Sequence, residues 1–114
     1  MTFIEQAREV IRRCRQLAES SEAPGEITRT FLSRPMREVH SRLAGWMTAA
    51  GMTVRVDAAG NIRGLYLSEN GASAPRFFVG SHLDTVPNAG AFDGVLGVVL
   101  AVALVETFDA APRL

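Results

Sequence analysis

The stretch that decides the fold reads FFVGSHLDTVPNAGAFDGVLGVVLAVALVETF and occupies residues 77–108. Its first residues, Phe77-Phe78-Val79, form a short continuous apolar run, which is typical of a strand covered on both faces. Its last part, Val95–Phe108, is apolar on almost every side and too long for a typical strand. We therefore expect a buried helix there, joined to the strand by the polar loop Gly80–Gly94.

The sequence before this stretch first shows a helical period. Apolar residues at helical spacing run from Phe3 to Ala18 and again from Met36 to Ala50, which predicts two amphipathic helices. Pro35 suits the first turn of the second helix, and Gly51 suits its C-terminal cap. Each helix buries one face only, so both must share a core with another element.

The middle of the chain has the period of a strand. Residues 52–56 alternate between apolar and polar side chains, which predicts a half-buried strand. The tripeptide Ala59-Gly60-Asn61 turns the chain, and Ile62–Leu67 returns as the second strand of a hairpin. The predicted order is α-α-β-β-β-α, an α/β fold with helices packed on a small sheet.

Composition narrows the possible functions. The chain has 114 residues, enough for one domain, and its 12 basic and 12 acidic residues cancel. This balance gives no indication of a nucleic-acid or membrane partner. The single cysteine excludes an internal disulfide and a cysteine-rich zinc module. The charged segment Met1–Arg13 is unlike a secretory signal, and Val95–Val105 is too short to cross a bilayer. We expect a soluble, cytoplasmic protein.

The polar loop contains the candidate site residues His82, Asp84 and Asp93. It follows a predicted strand, and α/β sheets usually build their sites at that end. Imidazole and carboxylate suit a divalent cation such as zinc, with Asp84 placed to hold the other ring N–H of His82. Two simpler interpretations remain open. A His-x-Asp sequence is often only a hydrogen-bonded pair, and an Asp directly before a helix is the expected N-cap.

Three stretches resemble one enzyme family. GSHLDTVPNAGAFDGVLGVV (80–99), GEITRTFLSRPM (25–36) and WMTAAGMTVRVDAAGNIRG (46–64) are similar to the amidohydrolase branch of the zinc-exopeptidase superfamily. That branch holds allantoate amidohydrolase, N-carbamoyl-L-amino-acid hydrolase and β-ureidopropionase, of which the first is the leading expectation. The resemblance covers nearly the whole chain. The short interval from His82 to Asp93 disfavours the peptidase and deacylase relatives, which carry a longer insertion there.

The resemblance implies a role for each site residue. His82 would be a terminal ligand of one metal, and Asp93 would bridge two divalent ions, zinc or manganese. Asp84 would be the catalytic carboxylate that orients His82, and Gly94 would tolerate backbone strain after the bridging Asp93. The implied reaction is hydrolysis of a linear ureido C–N bond in a small molecule, with release of ammonia and carbon dioxide. The complete enzyme would be a homodimer.

The family pattern continues beyond Leu114. It includes a glutamate pair that supplies the general base and a metal ligand, two further histidines and a dimerising lid domain. Residues 1–114 are therefore expected to be the N-terminal part of a catalytic domain, inactive alone, with weak or absent metal binding. Glu106 and Asp109 are expected on or just past a helix that points away from the site.

A non-enzymatic function is the alternative. The chain would then be a short paralogue or remnant that acts as an interaction module. Its apolar helix leads us to expect an exposed apolar patch on or near Val95–Phe108 and an open sheet edge.

Three other features have structural interpretations. Cys14 is expected to be a buried small hydrophobe, and His40 a partly buried structural histidine. Arg29, Arg34 and Arg37 are expected to form a solvated group at a helix start.

Overall fold

The computed structural model describes residues 1–111. In chain order the elements are α1 (Phe3–Ala18), α2 (Arg34–Ala49), β1 (Thr53–Val56), β2 (Ile62–Leu65), a 3₁₀ turn (Gly71–Ser73) and α3 (Val95–Ala110). The three predicted helices and the predicted hairpin are therefore all present. No helix within the described part of the chain is long and apolar enough to span a membrane.

The helix ends follow from the local sequence. The Thr2 hydroxyl accepts the Glu5 N–H at 3.1 Å, while the Glu5 carboxylate accepts the Thr2 N–H at 2.6 Å, which forms a capping box at the start of α1. Pro35 lies in the first turn of α2, where its missing N–H costs nothing. Gly51 follows the C-cap of α2 with a φ of 90°, a backbone conformation that glycine adopts without steric strain.

The hairpin is antiparallel and pairs Val56 with Ile62 across the turn. The Asp57 carboxylate accepts the Asn61 main-chain and side-chain N–H groups, and these bonds hold the pKa of Asp57 below its ordinary value. Gly60 occupies the turn with a φ of 88°. The turn predicted from Ala59-Gly60-Asn61 is thus confirmed.

The third predicted strand is wrong. Phe77–Val79 belongs to no strand, and the residues predicted to be covered on both faces are exposed, Phe77 at 87% and Phe78 at 81%. A strand is maintained by its ladder of hydrogen bonds to a neighbour, and within residues 1–111 no strand pairs with this run.

The core lies where α1 packs on α3 and where α2 packs on the hairpin. Its buried apolar side chains are Val10, Cys14, Leu17, Met36, Val39, Leu43, Met47, Ala50, Met52, Leu83, Val95, Val99 and Val102. Cys14 is fully buried, and burial raises the pKa of its thiol. His40 is half-buried, and burial lowers the pKa of its imidazole. Both residues have the structural character that the sequence predicted.

Arg13 joins the three helices at one point. Its guanidinium lies 4.9 Å from the centroid of the Trp46 ring in α2, within the range of a cation–π contact. The same group forms an ion pair with Glu106 of α3 and another with Glu9 at 3.1 Å. The Arg13 side chain is largely buried, so these contacts are screened less than a surface pair would be.

Helix α3 has a buried face and an exposed face. Val95, Val99 and Val102 face the core. Leu100, Leu104 and Phe108, which follow one another at four-residue intervals, are exposed at 50, 43 and 58% and form what we call the apolar stripe. The predicted exposed apolar patch is therefore confirmed. The two outer edges of the two-stranded sheet are also unpaired, in agreement with the predicted open edge.

The contrast between core and stripe is testable by truncation. Leu17→Ala should lower the free energy of unfolding by about 2–5 kcal/mol, because it removes a fully buried side chain between helices. Leu100→Ala is the matched control, and its effect should stay within about 0.5 kcal/mol because the side chain is half-exposed. Urea denaturation followed by circular dichroism measures both. Equal losses for the two variants would contradict the assignment of the core.

Candidate functional site

The loop Gly80–Gly94 is held by main-chain contacts to a segment 55 residues or more earlier in the chain. The Thr85 N–H donates to the Arg29 carbonyl at 2.7 Å, and the Arg29 N–H donates to the Thr85 hydroxyl at 2.8 Å. Further along the loop, the Ala89 N–H donates to the Ile27 carbonyl at 2.9 Å. The loop is therefore fixed along much of its length although it contains no regular element.

The Arg29 side chain adds a second set of contacts. It is 1% exposed, and its Nε–H donates to the Leu83 carbonyl at 3.0 Å. Its Nη1 donates to the carbonyls of Leu17 at 3.1 Å and Ser20 at 2.9 Å. Burial lowers the pKa of Arg29, and the charge of Asp84 partly opposes that effect. The guanidinium thus connects the end of α1 to the loop.

Arg29 corrects one expectation from the sequence. Arg34 and Arg37 are exposed as predicted, whereas Arg29 is among the most buried side chains in the described chain. An arginine between two threonines carries no sequence pattern that indicates burial. The carbonyls that receive it come from residues far away in sequence, so only the fold reveals the contact.

His82 is oriented by the main chain of the loop. Its Nδ1 lies 2.9 Å from the Asp84 carbonyl oxygen, while the Asp84 carboxylate oxygen Oδ1 is 3.6 Å away. A carbonyl oxygen only accepts, so in the neutral ring Nδ1 carries the proton and the Nε2 lone pair is left for another partner. The hydrogen bond to Nδ1 that was expected from the Asp84 side chain is therefore formed by its carbonyl, with the carboxylate close by. Both side chains are more than half exposed.

Asp93 does not cap α3. The N-cap is Gly94, with φ 72° and ψ −46°, and no side chain forms a capping hydrogen bond. This conformation is strained for any residue with a side chain, and a Cβ at Gly94 would overlap the His82 ring. Gly94 therefore lets the imidazole lie against the backbone next to Asp93. Within the described residues the exposed Asp93 carboxylate forms no hydrogen bond or ion pair.

These residues fit part of a metal site. A neutral imidazole with a free lone pair and an unpaired carboxylate are both ligands that zinc or manganese accepts. Within residues 1–111, however, no group of three or more His, Cys, Asp or Glu side chains can hold an ion. Glu106 adds nothing because it pairs with Arg13, and Asp109 accepts the Tyr66 hydroxyl at 2.9 Å. The remaining ligands would have to come from outside the described chain.

Comparisons with known proteins find similar sequences and structures along most of the chain. Allantoate deiminase 2 of Glycine max is 39% identical over 86% of the chain, and N-carbamoyl-L-amino acid amidohydrolase of Geobacillus stearothermophilus is 40% identical over 85%. Among solved structures, a hydantoinase/carbamoylase family amidase from Burkholderia ambifaria superposes with a TM-score of 0.81 at 37% identity over 91% of the chain. No family model matches.

The chain spans only about a fifth to a quarter of the length of these proteins, with 20% of the soybean protein and 25% of the amidase covered. Its fold is nevertheless similar to part of a hydantoinase/carbamoylase family amidase. The resemblance to allantoate deiminases and N-carbamoyl-L-amino-acid amidohydrolases, which the sequence predicted, is thus confirmed.

Replacement of Gly94 tests the site geometry. Gly94→Ala should lower the free energy of unfolding by about 1–3 kcal/mol from backbone strain, and it should also displace the His82 ring, which NMR of the ring protons would detect. Gly45→Ala is the control, because Gly45 lies inside α2 with open space around it and an ordinary φ. The free energy of unfolding of that variant should rise by about 0.5–1 kcal/mol. Unchanged His82 resonances in Gly94→Ala would refute the packing described above.

Proposed function

We propose that this chain is the N-terminal, ligand-bearing part of a metal-dependent hydrolase that cleaves linear ureido or amide C–N bonds, as in allantoate or an N-carbamoyl amino acid. One observation carries the proposal. The His82 imidazole, with Nε2 unoccupied, lies against Gly94 directly beside the unpaired Asp93. Relatives that share this segment are an allantoate deiminase, an N-carbamoyl-L-amino acid amidohydrolase and a ureidoglycolate hydrolase.

Each residue has a defined part in this proposal. Nε2 of His82 and the Asp93 carboxylate would hold the divalent ions, zinc or manganese. The Asp84 carbonyl keeps the proton on Nδ1, and the nearby Asp84 carboxylate would support the ring when Nε2 serves as a ligand. When bound, such a metal pair lowers the pKa of a shared water and polarises the substrate carbonyl.

A longer polypeptide or a second chain completes the site. The chain corresponds to about a quarter of the related amidase, so the general base, further ligands and the residues that read the substrate lie elsewhere. In this proposal it is the complete enzyme that forms a dimer. The cytoplasmic location and the choice between zinc and manganese stay predictions from the sequence resemblance.

A chimaera tests the proposal directly. Residues 1–111 would replace the corresponding quarter of the Burkholderia ambifaria amidase, and ammonia release would be measured with allantoate and with N-carbamoyl amino acids after loading with Zn²⁺ or Mn²⁺. We expect turnover of at least one of these substrates. His82→Ala and Asp93→Ala should each lower the rate by more than the roughly 10–100-fold that loss of an outer-shell partner costs.

The control uses the other histidine of the chain. His40→Gln changes a half-buried residue of α2 and should leave turnover within about twofold. A folded, metal-loaded chimaera without turnover on either substrate class would contradict the proposal. Full activity in His82→Ala would contradict it as well.

The apolar stripe favours a second candidate function. Three large apolar side chains exposed along one helix face are typical of an interaction surface, and a non-catalytic interaction module is therefore the second candidate. In that case the polypeptide in its source cells would have a mass of 12.3 kDa, whereas a front portion of an enzyme would be several times heavier. Immunoblotting of source-cell extracts with intact mass spectrometry separates the two.

Self-association of the chain tests whether the apolar stripe is an association surface. Leu100→Gln combined with Leu104→Gln should shift the chain toward monomer in sedimentation velocity at rising concentration, because less apolar surface is exposed. Ile4→Gln is the control, since Ile4 is an exposed apolar residue of α1 outside the stripe. If the wild type is already monomeric at every concentration, the stripe is not an association surface.

A further inference from the structure

Arg29 contacts two consecutive peptide groups of the loop. The carbonyl of Leu83 accepts the Arg29 Nε–H at 3.0 Å, and this carbonyl belongs to the peptide that joins Leu83 to Asp84. The next peptide joins Asp84 to Thr85, and its N–H donates to the Arg29 carbonyl at 2.7 Å. The carbonyl of that second peptide is the group that holds His82 Nδ1 at 2.9 Å. The Arg29 side chain therefore holds the first peptide and its main-chain carbonyl holds the second, which in turn holds the imidazole.

The other end of the guanidinium is tied to the core. Nη1 donates to the carbonyls of Leu17 and Ser20 at the end of α1, where the helix dipole favours a cation. Leu17 is itself fully buried between the helices. The side chain is thus a rigid link between the packed core and the peptide beside His82.

Packing alone does not require an arginine at this position. An apolar side chain of similar volume would fill the space without the cost of burying a charge. The guanidinium supplies what an apolar side chain lacks, namely N–H groups that point in two directions at once. A lysine has one point-like ammonium and cannot reach both the α1 carbonyls and the Leu83 carbonyl. The contacts are specific to the planar fork.

We propose that Arg29 is a positioning residue that acts through the Asp84–Thr85 peptide to hold His82 as the Nδ1–H tautomer, with Nε2 directed toward a metal. The proposal rests on the proposed function only in its last element, the metal. The link from Arg29 to His82 stands on the hydrogen bonds of the metal-free chain.

NMR of the ¹⁵N-labelled, metal-free chain tests the link. In the wild type, His82 should show one tautomer, with well-separated Nδ1 and Nε2 shifts, and Thr85 should have a protected amide. In Arg29→Lys and Arg29→Met, the two nitrogen shifts should move toward each other as tautomers mix. The Thr85 amide should exchange about tenfold faster or more, because the loop opens locally.

Leu43→Ala is the matched control, since it removes a fully buried side chain of α2 away from the loop. It should lower global stability while the His82 shifts stay at their wild-type values. A folded Arg29→Lys chain with unchanged His82 shifts and unchanged Thr85 exchange would overturn the proposal. If neither variant folds, hydrogen exchange of the Arg29 Nε–H in the wild type is measured instead. Rapid exchange would show that the bond to the Leu83 carbonyl is absent and would overturn the proposal, whereas slow exchange would support it.

Metal titration separates this proposal from the proposed function. In the chimaera described above, Arg29→Lys should weaken Zn²⁺ binding by about 10–100-fold, as loss of an outer-shell partner does, and excess Zn²⁺ should restore turnover. If Arg29→Lys disturbs His82 in the free chain while the chimaera binds no metal, the metal function fails and the positioning role remains. If the chimaera binds metal equally with and without Arg29, the positioning role fails and the function remains.

Discussion

The buried guanidinium of Arg29 is the constraint on which the loop depends. Only two loop side chains are buried, Leu83 and Thr85, so burial of apolar area contributes little to its position. Hydrogen bonds from Arg29 and its neighbours take that role, and they connect the loop to a helix that is packed into the core. A buried charge whose hydrogen bonds go to main-chain carbonyls is costly unless each donor is well placed, which makes the arrangement sensitive to small displacements.

The backbone around Gly94 shows a second constraint. The residue begins α3, carries a positive φ and leaves space for the His82 ring. The same position therefore sets the direction of a buried helix and the orientation of an imidazole. Because Gly94 has no Cβ, the chain enters α3 without the strain that a side chain would bring at this position.

Much of this architecture could be predicted from the sequence because it depends on local pattern. Helical periodicity located α1 and α2, and the Gly60-Asn61 turn located the hairpin. The resemblance also led us to expect an unusual backbone at Gly94, and its φ is 72°. The roles of His82 and Asp93 toward a metal stay predictions. The prediction of a third strand was wrong because an apolar run indicates only which residues could be buried on both faces. Whether a strand forms depends on a neighbouring strand that supplies hydrogen bonds. The burial of Arg29 was missed because its partners belong to two separate segments, the end of α1 and the loop, and leave no local signal.

The full burial of Cys14 gives the molecule an internal reporter. Cys14 carries the only thiol in the chain, and it lies on the buried face of α1. Because burial raises the pKa of this thiol, the reactive thiolate is scarce in the folded state. A thiol reagent can modify the chain only when α1 separates from the core. The rate of labelling therefore reports the opening of the native packing without any denaturant. It follows the opening rate when labelling is faster than reclosing, and the population of the open form when reclosing is faster.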